Sequence, residues 1–319
     1  MELKGIHHVS AITANAQKNY DFYTNILGMR LVKKTVNQDD TSMYHLFYAD
    51  TKGNPGTDLT FFEIPRAGHT YPGTHSISTT SLRVKDDDAL IYWKERFVKL
   101  KVDHGDIIEV MNRKSMNFRD HEGQRLTLVS DENNSGVAAG TPWEKSPIPK
   151  EYGITGLGPV HLSVKDAGPT KKVLKEILGF RETGTINNRL VMETGEGGSG
   201  AEVHIEERTD LPREKPGRGS VHHVAFRAAD EQELAKWKTI IEKAGFPNSG
   251  LVDRFYFKSL YFREPNHILF EIATDGPGFD TDEDIERLGE NLALPPFLED
   301  QRDQIEAKLR PINTSRSEN

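Results

Sequence analysis

Along most of this chain apolar and polar residues alternate in short runs bounded by Gly, Pro, Asn and Asp, the pattern of half-buried β-strands. Four times the alternation gives way to a longer stretch with helical spacing. The first strand covers 3–13, and a helix follows from about Ala16 to Leu27, with Tyr20, Tyr23, Ile26 and Leu27 as its apolar positions. Strands are predicted near 30–37, 43–49 and 58–64, with turn chemistry at Asn54-Pro55-Gly56. The second segment opens with a strand at 78–84 and a helix through Leu90, Trp93 and Phe97, then strands near 106–110, 115–120 and 125–130. The third opens at Gly158 to Val164 and carries a helix near 168–178. The fourth has a strand at 220–228 and a helix through Leu234, Trp237 and Ile241.

The segments share internal details. Ile26-Leu27-Gly28-Met29-Arg30 is closely repeated as Ile177-Leu178-Gly179-Phe180-Arg181, and Ala244-Gly245-Phe246 ends the fourth helix. In each, glycine suits the left-handed position after a helix and the next apolar residue closes the cap. Together these features predict an α+β protein of four βαβββ modules, in which modules pair and curve into two open, barrel-like cups. The modules are placed at 1–70, 75–131, 153–210 and 219–275. The first two form one pair (1–131), the last two another (153–275), joined by a proline- and glycine-containing linker over 132–152. A helical extension is expected over 276–319, with helices near 281–290 and from Phe297 to Leu309, and with 313–319 lacking order.

Composition narrows the function classes. The sequence has 319 residues, 35% hydrophobic and 28% charged, with a formal charge of −8 and scattered Lys and Arg. No basic patch suggests nucleic acid, and no run approaches the roughly 20 apolar residues of a membrane span. The expectation is a cytoplasmic protein with neither partner, and a composition compatible with a homo-oligomer. The chain has no cysteine, so disulfides and thiolate ligands are excluded, and no thiolate is present for a quinone to alkylate. The run Gly195-Glu196-Gly197-Gly198-Ser199-Gly200 is followed by neither Lys-Ser/Thr nor a helix, so it is expected to be a hairpin loop and not a phosphate cradle.

The candidate chemistry lies on the strands. Val221-His222-His223-Val224-Ala225-Phe226 carries two adjacent histidines, and Ile6-His7-His8-Val9-Ser10 repeats them. Neighbours on a strand face opposite ways, so one of each pair can enter a given pocket. A lone carboxylate, Glu271, lies between Phe270 and Ile272, and Glu63 lies between Phe62 and Ile64. A buried Glu is uncommon unless it is paired or ligating. Two strand histidines and a glutamate are the makings of a 2-His-1-carboxylate site, as used by non-haem Fe(II) oxygenases. Thr79 stands at the histidine position of the second module. In the third, His161 is read in register with His8, and His204 or Glu206 stands near the glutamate position.

Paired βαβββ modules with strand-borne His and Glu resemble the vicinal oxygen chelate superfamily, which includes glyoxalase I, extradiol dioxygenases and antibiotic-resistance proteins. More closely, Gly-Ile-His-His-Val-Ser-Ala-Ile-Thr at 5–13 and Val-His-His-Val-Ala-Phe at 221–226 are similar to hydroquinone ring-cleaving dioxygenases of the dichlorohydroquinone and quinone-resistance (Mhq) types. The resemblance extends to the Pro-Pro-Phe-Leu-Glu tail. It implies an enzyme with one Fe(II), Mn(II) being the alternative, held by His8, His223 and Glu271. His7, His222, Arg254 and Tyr261 would stand around the metal and assist catalysis. The implied substrates are a small hydroquinone or catechol and O2, with a role in quinone detoxification. It also implies that the first and fourth modules build the cup. Two alternatives share the scaffold: a glyoxalase-like isomerase or lyase, whose fuller ligand set Glu63 could complete, and a metal-free small-molecule binding or resistance protein.

Overall fold

The computed structural model describes residues 1–110 and 112–314. Each module has the predicted order of elements. The first comprises β1 (Ile6–Thr13), α1 (Ala16–Tyr20) continued by a π-helical turn (Asp21–Ile26), β2 (Arg30–Asn37), β3 (Asp40–Ala49) and β4 (Asp58–Glu63). The second comprises β5 (Ser76–Val84), α2 (Asp87–Leu100), β6 (His104–Val110), β7 (Arg113–Arg119) and β8 (Arg125–Ser130). The third comprises β9 (Ile154–Val164), α3 (Ala167–Lys172) with a π-helical turn (Val173–Ile177), β10 (Arg181–Ile186), β11 (Arg189–Glu193) and β12 (Glu202–Glu207). The fourth comprises β13 (Val221–Ala228), α4 (Glu231–Lys243), β14 (Asn248–Asp253), β15 (Phe257–Arg263) and β16 (Leu269–Pro277).

Local chemistry explains these boundaries. Asn15, Asp86, Asp166 and Asp230 cap the four helices, each side chain accepting from a backbone N–H of the first turn, which satisfies a donor that the helix itself cannot. At the far ends Gly28 and Gly179 take φ of 71° and 76°. Met29 N then donates to Tyr23 O at 2.9 Å and Phe180 N to Leu174 O at 2.8 Å, satisfying carbonyls left open by the last turn. Helix α2 turns Leu90, Trp93 and Phe97 inward, and α4 turns Leu234, Trp237 and Ile241 inward, the stripe expected of a helix packed on a sheet.

Strand pairing joins the chain's ends. One eight-stranded sheet runs β14-β15-β16-β13-β1-β4-β3-β2, and the other runs β10-β11-β12-β9-β5-β8-β7-β6. The first module is therefore continuous with the fourth, and the second with the third. At each centre two strands run antiparallel, β1 with β13 and β5 with β9, and each has its own module's last strand parallel on its other side. One hydrophobic core reaches through both sheets, for example where Phe180 packs edge-on against Phe226 at 5.2 Å.

The remaining segments are packed down with little regular structure. Within 132–152, Val137 and Ile148 are buried and Gly140 N donates to Thr155 O. The glycine run 195–200 lies in the connection between antiparallel β11 and β12, as a hairpin loop should. The helical extension expected after 276 is mostly irregular, with helical turns of three to five residues at Phe279–Thr281, Ile285–Arg287, Pro296–Glu299 and Arg302–Glu306. Its chain follows the outside of the first module: Arg30 donates to Ile285 O and Lys34 to Glu290 O. Tertiary contacts replace the helical ladder there. The tail expected to lack order begins docked, with Asn313 N donating to Gln17 Oε1 at 2.6 Å; 315–319 lie outside the described residues.

Candidate metal centre

The centre of the first sheet brings together three donors. His8 on β1, His223 on β13 and Glu271 on β16 have ligating atoms within 4.8 Å of one another, and all three side chains are buried. The two Nε2 atoms are 3.2 Å apart, and Glu271 Oε2 lies 3.1 Å from His8 Nε2 and 2.9 Å from His223 Nε2. Three donors in adjacent positions around an ion at about 2.1 Å stand roughly 3 Å apart, so the triangle has the size that one cation requires. Neither carboxylate oxygen of Glu271 has a directed hydrogen bond, although both imidazoles are within reach. A buried carboxylate with no such bond is costly, and a cation at the point of convergence satisfies it. Among the described residues this is the one such cluster.

The paired histidines set the tautomer. His7 Nε2 stands 3.0 Å from the carbonyl of Thr274, which can only accept, so the His7 proton sits on Nε2. Burial, together with its neighbour His8, drives His7 down to about 3, so the ring is neutral and Nδ1 is an acceptor. His7 Nδ1 is 2.9 Å from His8 Nδ1, so that proton belongs to His8. The His8 Nε2 lone pair is left facing the centre, the arrangement by which an outer partner orients a metal-bound imidazole. His222 stands in the same relation to His223, Nδ1 to Nδ1 at 2.8 Å. Phe257 packs on both His7 and His8, with ring centroids 5.2 and 5.1 Å away.

Beside the triad opens a cavity of about 310 Å³. Its walls are largely apolar, with Ile12, Val36, Met43, Phe47, Phe62 and Leu269. Polar groups enter at a few points, as small-molecule sites require. Tyr261 pairs with Glu271 across β15 and β16, and its ring meets His223 at 5.7 Å. Burial and the Glu271 charge raise the Tyr261 phenol, so it stays protonated. Arg254 Nε donates to Tyr261 Oη at 3.4 Å, and its two terminal nitrogens bind Asp39 at 3.2 and 3.0 Å. Burial lowers the Arg254 guanidinium, but Asp39 and Tyr261 outweigh it and raise it overall. His222 lines the cavity from an exposed position on β13.

All seven residues expected around the metal are thus brought to one site. Glu63 and His161 stand elsewhere. In the fourth module Glu271 is paired with Ala225, two residues after His223. Two residues after His8 stands Ser10, and its partner is Thr60, not Glu63. An odd number of positions along a strand reverses the face, so Glu63 points away, and its Oε1 accepts from Ala16 N at 2.9 Å at the start of α1. The reading of His161 in register with His8 is corrected likewise. His161 lies opposite Thr79 and beside His204, as Ala225 lies opposite His8 and beside Glu271. The position matching His223 is therefore Pro159, two residues earlier, and the position matching Glu271 is His204. Thr79 and Pro159 supply no imidazole, so the second cup does not repeat the triad.

Three site residues escaped the sequence reading. His45 on β3 lies in the cavity wall, with Nε2 2.9 Å from Thr60 Oγ1 and its ring between Phe47 and Phe62 at 4.0 and 4.1 Å. Its signal was the inward period of Met43, His45 and Phe47. Phe257 and Tyr256 left no comparable signal. Tyr256 donates to Asp282 at 2.8 Å, a contact from the C-terminal segment.

This fold is that of a superfamily of paired βαβββ modules, and this triad could hold a metal ion. The chain belongs to the Glyoxalase/Bleomycin resistance protein/Dioxygenase superfamily, whose family model matches residues 5–128 and 156–272. It is 56% identical to the Bacillus subtilis protein named "Putative ring-cleaving dioxygenase MhqA", over 98% of this chain and 100% of that one. It is 30% identical to the chlorohydroquinone/hydroquinone 1,2-dioxygenase of Sphingobium indicum, over 98% and 96%. A crystal structure titled as a putative dioxygenase from Bacillus subtilis superposes with a TM-score of 0.91 at 34% identity, covering 98% of this chain and 99% of that one. Glyoxalase I of Zea mays shares the fold at a TM-score of 0.62 and 13% identity, covering 86% and 93%.

Proposed function

We propose that the chain is a metal-dependent ring-cleaving dioxygenase that opens small hydroquinone- or catechol-type rings with O2. The observation that carries this reading is the convergence of His8 Nε2, His223 Nε2 and Glu271 Oε2 beside an apolar cavity of single-ring size. Two imidazoles and a carboxylate, with no thiolate, suit Fe(II), with Mn(II) second. Fe(II) held there would supply the redox chemistry by which dioxygen and a ring diol react, three protein ligands leaving positions open.

The chain's own groups have separable roles. The apolar walls hold the ring and exclude water, which strengthens each polar contact inside. Arg254, fixed by Asp39, presents a permanent cation to a phenolate oxygen. Tyr261 Oη, kept protonated, donates to that oxygen or to charge developing beside it. If His223 ligates through Nε2, its proton is on Nδ1 and is given to His222 Nδ1. The His222 proton then sits on Nε2, and His222, a residue of the cavity wall, can exchange a proton with the substrate hydroxyl. Removal of hydroquinones, and with them the quinones they generate, in the cytoplasm is the physiological role that fits this chemistry.

A glyoxalase-like isomerase would draw on Glu63, which is committed to the first turn of α1. The deciding test is anaerobic loading with Fe(II), then oxygen uptake on a panel of hydroquinones and catechols. One O2 consumed per ring opened is expected. Turnover by metal-free protein, or turnover without oxygen consumption, overturns the reading.

A further inference from the structure

The second sheet encloses a cavity nearly as large as the first, about 280 Å³ against about 310 Å³. Where the first cup has its ligand triad, this one has a different constellation. Glu202, 5% exposed, takes two hydrogen bonds from Arg113 at 2.9 and 2.7 Å and one from His204 Nε2 at 2.8 Å. His204, 6% exposed, stacks on His161 with centroids 4.8 Å apart and planes 15° from parallel. Burial pushes the Glu202 carboxyl up, but His204 and Arg113 outweigh it and hold it at about 2.

Two features call for something more in this space. A cup without a metal site could be filled with apolar side chains, which are as stable as a buried ion pair or more so. This cup instead has an open volume and charged groups in its wall. The wall also has unused donors. The Nε of Arg189 is buried and has no hydrogen-bond partner, and its contact with Glu206 is 3.5 Å. His161 lines the cavity, is neutral because burial and His204 lower it, and makes no side-chain hydrogen bond among the described residues. A buried donor without a partner, as Arg189 Nε is, is the exception in folded proteins. Arg113 is committed to Glu202 by two hydrogen bonds, whereas Arg189, ion-paired with Glu206 and about a third exposed, makes no side-chain hydrogen bond among the described residues, so the unused donor capacity belongs to Arg189 and His161. The flanks are apolar, with Ile108, Val129 and Ile186.

We propose that the second cup is a binding site for a one-ring aromatic anion, its anionic oxygen on Arg189 and His161 and its ring between the apolar flanks. A carboxylate and a phenolate satisfy the same donors. The site lies in the other sheet from the metal triad and does not depend on the dioxygenase reading.

The test is calorimetric titration of the metal-loaded full chain with benzoate and, separately, 4-nitrophenolate. Glu271→Gln removes metal-dependent binding in the first cup, and the second-cup variants assign what remains. The expected result is a binding component that persists in Glu271→Gln, weakens at least tenfold in Arg189→Met and disappears in Val129→Trp, which fills the cavity. Benzoate binding alone assigns the ligand as a carboxylate, and 4-nitrophenolate binding alone assigns a phenolate. Thermal unfolding identifies which variants are folded, and Ile186→Trp stands in for either. No component for either probe at millimolar concentration, or one that is unchanged in every folded second-cup variant, overturns the proposal.

Discussion

His8 and His223, 215 positions apart in sequence, bring their Nε2 atoms within 3.2 Å. The contact exists because β1 and β13 pair antiparallel at the centre of one sheet, and it commits the first and last modules to a single site. One metal per chain is therefore expected. His8→Ala and Glu271→Gln should each lower metal affinity beyond the ~10–100-fold typical of an outer partner, while His161→Ala, in the other sheet, should keep the metal. Metal analysis after dialysis reads the difference, and retention by His8→Ala with loss by His161→Ala would reverse the assignment.

His7 acts through His8, so His7→Phe should fold and still bind metal, with affinity lower by about 10–100-fold. The carbonyl of Thr274 remains in place, so the loss comes from the freed His8 tautomer. Competition with a chelator of known affinity measures it; unchanged affinity would mean that His7 only packs against Phe257.

Arg254→Ala and Tyr261→Phe should leave the metal bound and lower kcat. Loss of one positioned donor in a water-poor site costs on the order of 10²–10³ in rate. Asp39→Asn should have a smaller effect in the same direction, because it loosens the guanidinium without removing it. Steady-state kinetics on metal-verified samples decide the matter, and equal rates in all three would place these residues outside the chemistry.

Glu63→Gln should bind metal like the parent protein, since its carboxylate caps α1 from outside the triad. Glu63→Ala should cost about 1 kcal/mol of stability, the usual scale for a lost cap. Urea unfolding with metal analysis on one sample separates the outcomes, and metal loss in Glu63→Gln would return the glutamate to the ligand set.

Acid sensitivity should come in part from imidazoles that are not in the triad. Burial lowers both His45 and His161 well below the ordinary histidine value. Between about pH 6.5 and those lower values the unfolded chain binds protons that the native chain does not, so stability rises with pH there and is lost as pH falls. Each group contributes at most about 1.4 kcal/mol per pH unit. His161→Leu should flatten the decline between pH 6.5 and 5, measured as urea midpoints; an unaltered slope would show that His161 is protonated in the folded protein.

Most of the fold was legible because its signals are local. Asn15, Asp86, Asp166 and Asp230 cap helices through their own backbone neighbours, and Gly28 and Gly179 end them by conformation alone, so four modules could be counted from sequence. The doubled histidines at 7–8 and 222–223 were legible for the same reason. Register was different. Strand position counted along the chain cannot say which residue of β4 faces Ser10, and a slip of one residue turns a side chain to the other face. Thr60 therefore holds the place that Glu63 had by count, and Pro159 the place that His161 had. The C-terminal segment failed as helix because Arg30 and Lys34 bind its carbonyls, a non-local choice. His45 entered the site on the inward face of β3, with Met43 and Phe47. The sequence by itself determined the repeat and the chemical character of the donors. Only the tertiary structure decided which donors meet, because pairing across 215 positions depends on the whole sheet and on no local pattern.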